Sequence, residues 1–193
     1  MIKPIKFEYS TKIVSKKAFE DHIKLYHGYV EKANEILQEL DKNPKTDKAH
    51  KNYSHFRGLK KDLNYNLNGV IHHELFFGNL GGKGKEIGQN FVKLAQKCFG
   101  SFENWKKDFC ATAKSARGWA IACYEQRTGK LQNIMLDAHD EGMVTSSYPL
   151  IAIDMYEHTY ALDYGTDTTS YIYNFFDDIC WETVKKRMVA LDG

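Results

Sequence analysis

The chain has 193 residues, of which 42% are hydrophobic and 27% charged, and its formal net charge is +2. That balance belongs to a globular protein of one large domain or two small ones sharing a core, and it excludes nucleic acid or an anionic membrane as the expected partner. No apolar run approaches the roughly 20 residues of a spanning helix, and "MIKPIKFEYSTK" lacks the apolar centre of a signal peptide, so a cytoplasmic protein is expected.

Between Ser15 and Leu40, the residues Phe19, His22, Tyr26, Tyr29, Ala33, Ile36 and Leu40 recur at steps of three and four. This is one face of a long helix, with Ser15 as its N-cap. "DKNPKTDKAHKN" is polar, carries a proline and reads as a loop. A second long helix follows, with Phe56, Leu59, Leu63, Val70, His73 and Phe77 along one stripe. "GNLGGKGK" ends it. Its spacing fits neither a P-loop nor a dinucleotide-binding turn, so it reads as a linker. The expected organisation is an N-terminal helical hairpin, residues 1–82, and a C-terminal α/β domain, residues 83–193.

"EIGQNFVKLAQKCFG" and "SFENWKKDFCATAKSA" predict two short helices, the first closed by Gly100 and the second capped by Ser101. "GWAIACYEQ" and "LQNIMLDAH" flank the turn "RTGK" and predict a β-hairpin, and "PLIAID" makes a third strand ending at Asp154. "SYIYNFFDDICWETVKKRMVAL" returns to helical spacing. The fold class is α+β: helical layers around a small three-stranded antiparallel sheet. Cys98, Cys110, Cys123 and Cys180 lack CxxC spacing and are expected to be reduced, mostly buried thiols.

Eight histidines offer chemistry. His50 and His55 belong to the polar loop and its edge, and His27 and His72 sit a step off their helical stripes. His22 and His73 lie within the apolar faces of the two long helices. A lone histidine there is usually a hydrogen-bonded core residue, but two on helices that pack as a hairpin can share one cation. "DMYEHTYALDY" adds Asp154 and His158, four residues apart at a strand end. Three imidazoles and one carboxylate suit iron, manganese, zinc or copper better than calcium or magnesium.

These blocks together resemble the iron/manganese superoxide dismutases. "DMYEHTYALDY" resembles that family's "DxWEHAYYxxY", "HHELFFGNL" its "NHxxFWxxL", and "CWETVKKR" its "NWExVxxR". "FGSF" and "GWA" stand unchanged. The resemblance implies a metal between the two domains, one iron or manganese ion per subunit, held by His22, His73, Asp154 and His158 with a bound water or hydroxide. It implies redox cycling that converts superoxide and protons to dioxygen and hydrogen peroxide, in a homodimer or tetramer. It makes Tyr29 the gateway tyrosine of the substrate funnel and Arg187 a basic residue near its mouth. His139 is implied to bond the bound solvent and tune the metal, with Gly69 leaving room for it. Glu157 is implied to bridge subunits by accepting from the partner's copy of the His158 position, as a carboxylate too costly to bury alone. Tyr26 and Ala161 replace a family pair that meets at the interface and are expected to compensate each other. Trp119 and Trp181 are expected as pocket walls. Phe77 and Tyr156 stand where tryptophan is usual, and the His22–Tyr29 spacing is one residue short. Two other readings are a catalytically weak metal-binding paralogue and a zinc hydrolase.

Overall fold

The computed structural model describes residues 1–82 and 86–190. The two long helices form as their periodicity requires, α1 over Lys16–Lys42 and α2 over His55–Asn79. Each N-terminus is capped by a serine hydroxyl: Ser15 accepts from the Ala18 N–H at 3.2 Å, and Ser54 from the Arg57 N–H at 3.1 Å. The loop between them includes a 3-10 turn at Thr46–Lys48. The N-terminal segment lies along the hairpin, with the Ile2 N–H donating to Asn34 Oδ1 at 2.7 Å. Helix α2 runs through Gly78 and Asn79, so the first two residues of the glycine stretch are helical. The expected junction between residues 82 and 83 abuts residues 83–85, which lie outside the described residues.

Helix α3, Gln89–Phe99, closes on Gly100, whose φ of 81° lies in the left-handed region that glycine adopts without strain. Helix α4, Phe102–Ser115, starts at the Ser101 cap. The sheet has strands β1 (Trp119–Glu125), β2 (Lys130–Leu136) and β3 (Ser147–Asp154), in the order β2-β1-β3 and antiparallel throughout. Register places Trp119 opposite both Leu136 and Asp154. Strand β3 starts two residues before the expected Pro149, because β3 is an edge strand and tolerates a residue with no N–H to donate.

The single helical run expected near the C-terminus is two helices, α6 (Thr168–Asp178) and α7 (Trp181–Val189), preceded by α5 (Glu157–Tyr164). Long-range hydrogen bonds break the run. The Gly82 N–H donates to the Asp178 carbonyl at 2.8 Å, and the Cys180 N–H to the Asn79 carbonyl at 2.6 Å. The buried Asp178 carboxylate accepts from Thr11 Oγ1 at 2.5 Å and from the Gly81 N–H at 2.9 Å. A β-carbon at Gly82 would fall 1.9 Å from the Ile179 carbonyl oxygen, so only glycine allows this approach.

The core lies between sheet and helices. Phe91, Trp105, Phe109, Ile121, Leu136, Leu150, Ile151 and Phe175 are all fully buried, and burying a phenylalanine side chain contributes about 1.5–3 kcal/mol. All four cysteines are free, and burial pushes the Cys110 and Cys123 thiols up. Among the described residues no helix is long and apolar enough to cross a membrane.

Candidate metal centre

Four elements converge on one point. Helix α1 brings His22, α2 brings His73, the end of β3 brings Asp154, and the first turn of α5 brings His158. One potential ligand atom from each lies within 4.8 Å of every other. From Asp154 Oδ2, the Nε2 atoms of His22, His158 and His73 are 3.2, 3.5 and 3.9 Å away. A cation about 2.1 Å from each donor would set neighbouring donors roughly 3–4 Å apart. His22 Nε2, His73 Nε2 and Asp154 Oδ2 are buried without any hydrogen-bond partner. Three orphaned polar atoms crowded together would be costly in an apolar interior, and one cation satisfies them all. The residues fit a transition metal.

The surroundings hold three of the donors in their metal-binding form. His73 Nδ1–H donates to the Gly69 carbonyl at 2.6 Å, one helical turn back. A carbonyl can only accept, so the proton sits on Nδ1 and the Nε2 lone pair faces the site. Burial lowers His73 to a pKa of about 3 and also lowers His22, so both imidazoles are neutral. Burial alone would raise the Asp154 carboxyl, but His158 and His22 beside it hold it below the usual carboxylate range. Its other oxygen, Oδ1, accepts from the Tyr156 N–H at 2.9 Å, and its carbonyl accepts from the Tyr171 hydroxyl at 2.8 Å.

Around the donors lies a ring of aromatics. Trp119 Nε1–H donates to His139 Nδ1 at 2.9 Å, and His139 Nε2 lies 2.8 Å from the Tyr29 hydroxyl. An indole N–H only donates, so Nδ1 accepts, Nε2 carries the proton, and it donates to the Tyr29 oxygen. The Tyr29 hydrogen is thereby left to point elsewhere. His139 is buried and neutral, burial lowering it to about 4.

Residues 7–81 match the family described as "Iron/manganese superoxide dismutases, alpha-hairpin domain", and residues 88–187 the corresponding "C-terminal domain". The chain belongs to the iron/manganese superoxide dismutase family. It is 40% identical over 179 residues to an iron superoxide dismutase of Aquifex pyrophilus, covering 90% of this chain and 84% of that one. It is 35% identical over 178 residues to an iron superoxide dismutase of Pyrobaculum aerophilum, covering 89% and 82%. It is 32% identical over 176 residues to manganese superoxide dismutase 1 of Halobacterium salinarum, covering 90% and 86%.

Not every residue lies where the superoxide dismutase resemblance put it. The space at Gly69 is filled by the Tyr29 ring and not by His139, since a β-carbon there would be 2.9 Å from Tyr29 Cδ1. Arg187, expected near the mouth of the site, is half-buried. Its guanidinium clamps α7 to α2 and β3, donating to Asn79 Oδ1 at 3.1 Å, the Leu150 carbonyl at 2.7 Å and the Leu75 carbonyl at 3.0 Å. Tyr26 is wholly buried inside the hairpin and does not face Ala161, which is exposed. Its hydroxyl donates to Glu74 Oε1 at 2.7 Å and accepts from the Ile5 N–H at 2.9 Å. Glu157 is exposed in the single chain, in the first turn of α5, where the helix dipole favours a carboxylate. Trp181 packs on Phe91 and Phe102, away from the site, whereas Trp119 borders His73. His72 is buried despite its place off the stripe, because it packs against Trp119 from β1.

One residue escaped the sequence reading. The Tyr65 ring lies 4.7 Å from that of His139 and 6.1 Å from that of Tyr29. The signal was present: Tyr65, Gly69 and His73 are spaced by four on one helix and share a face.

Proposed function

We propose that this protein is a superoxide dismutase that binds one iron or manganese ion through His22, His73, Asp154 and His158. The observation that carries the reading is the convergence of these four donors, three of their polar atoms buried and orphaned, in a chain of this family. When bound, the metal supplies one-electron oxidation and reduction, which converts superoxide to dioxygen in one half-reaction and to hydrogen peroxide in the other.

The chain's own residues do the rest. Asp154 supplies the one negative charge among the donors, and the Gly69 carbonyl aims His73. The peroxide-forming half needs protons, and the Trp119–His139–Tyr29 chain orients them. His139 donates to the Tyr29 oxygen, which frees the Tyr29 hydrogen to serve the reacting anion. On this reading His139 tunes the site through Tyr29 and does not hold the metal. The intact chain of two hydrogen bonds favours an active enzyme over a catalytically weak paralogue. Among the described residues the cluster holds no second carboxylate to act as the general base of a zinc hydrolase.

The same reading includes two units, residues 1–82 and 83–193, each giving half the donors, and a homodimer or tetramer in the cytoplasm. The His158 side chain is 33% exposed, against 3% for His22 and 0% for His73 and Asp154. A partner subunit over the α5 face, where Glu157 is also exposed, would close that side of the site. Metal analysis and superoxide decay of the protein reconstituted separately with iron and manganese test the reading. Asp154→Ala should lose metal and activity together; wild-type metal content in that variant would overturn the assignment.

A further inference from the structure

We propose that Tyr65 is a further residue of the reaction, its hydroxyl passing protons between solvent and the Tyr29–His139 pair. The proposal rests on the dismutase reading above. Turnover consumes protons at a site whose donor histidine, His139, is fully buried, so something must carry protons inward.

Two of the hydroxyls near the metal donors are already occupied. The Tyr171 hydroxyl donates to the Asp154 carbonyl from a fully buried position. The Tyr26 hydroxyl is saturated, with its hydrogen on Glu74 and its oxygen taken by Ile5. Neither can move a proton without breaking a structural bond. Tyr29 has its oxygen occupied by His139 and its hydrogen free. It therefore needs a neighbour that can replace the proton it gives away.

Tyr65 is placed to be that neighbour. It lies eight residues before His73 on α2, against both His139 and Tyr29, and is half-buried, so one edge meets solvent. The Tyr65 and Tyr29 rings lie 6.1 Å apart, and after burial Tyr65 is the neighbour that most raises the Tyr29 pKa. A hop between them passes directly or through one bridging water. Each hop breaks one O–H bond and makes another. The proton that leaves Tyr29 is replaced from Tyr65, and that of Tyr65 from water; no electron moves.

Tyr65→Phe removes one oxygen and keeps the ring on His139. In the metal-loaded protein the rate at saturating superoxide should fall about a hundredfold, the low end of what positioned proton donors contribute. Added imidazolium should restore much of that loss, which a purely packing role would not predict. A second readout needs no turnover. In the full-length protein loaded with diamagnetic zinc, the His139 Nε2–H should exchange with water about tenfold more slowly in Tyr65→Phe than in wild type, followed by NMR. Unchanged exchange overturns the relay, whatever the rates. A wild-type protein that does not dismute superoxide overturns the functional reading instead, and the exchange measurement still decides the role of Tyr65.

Discussion

Replacing Gly69 by alanine sets two effects of similar size against each other. In a helix interior the change should gain about 1 kcal/mol, because glycine gives up more backbone freedom on folding. Against that, the new methyl would stand 2.9 Å from Tyr29 Cδ1 and 3.0 Å from Cγ, where carbon atoms prefer roughly 3.5–4 Å. The Tyr29 ring cannot simply swing away. It is hemmed in by His73 at 5.1 Å, His139 at 4.8 Å and Tyr65 at 6.1 Å, and its hydroxyl is tied to His139 at 2.8 Å. Over-packing of this kind costs about 1–3 kcal/mol, so the net change should run from neutral to about 2 kcal/mol destabilising. The larger effect should fall on chemistry, since a ring pushed by even half an ångström stretches the Tyr29–His139 bond past normal length. Urea unfolding and superoxide decay measure the two together. A variant stabilised by the full ~1 kcal/mol with an undiminished rate would show that Tyr29 does not rest on Gly69.

Arg187→Ala removes a half-buried fork of three hydrogen bonds and strips the Leu75 and Leu150 carbonyls of that donor. It should cost about 2–4 kcal/mol in thermal or urea melts while metal content is retained; Arg187→Lys should recover little, because an ammonium cannot reproduce the fork. The metal-free protein should lose stability in acid. Burial lowers His72 and His139 to about 4 from an ordinary 6.5, so between those values the unfolded chain binds more protons than the folded one, and stability falls as pH falls through that window. Each histidine contributes a slope of up to about 1.4 kcal/mol per pH unit, and equal urea midpoints at pH 7 and pH 5 would contradict this. Glu157→Ala should leave the stability of the isolated chain unchanged yet weaken self-association, which sedimentation measures; a loss of monomer stability would place Glu157 in the chain's own framework.

What could be read from sequence follows the range of the forces involved. The caps at Ser15 and Ser101 and the steps of three and four are local, and the helices formed where they pointed. The donors were legible because a histidine on an apolar face is conspicuous, and because Asp154 and His158 lie four residues apart at a strand end. Residues whose role depends on distant partners were not. The split between α6 and α7 is imposed by Gly82 and Asn79, roughly a hundred residues away, across a stretch whose apolar rhythm never falters. Arg187 had the look of a surface cation because its carbonyl partners are backbone groups, invisible in a side-chain pattern. Tyr26 carried the right spacing for the site face, but only the fold shows Glu74 and Ile5 using its hydroxyl.

The four donors come from positions 22, 73, 154 and 158, and that spread bears on how the protein is made. A nascent chain that has emerged only through α2 holds two imidazoles and no carboxylate, a weak and unselective trap for any passing cation. The full set exists only when β3 has paired with β1 and carried Asp154 between the helices. Metal capture is thus deferred until the sheet has docked against the hairpin. Supply of the right ion matters at that moment, and a chain stalled before it has no finished pocket for the wrong one to occupy.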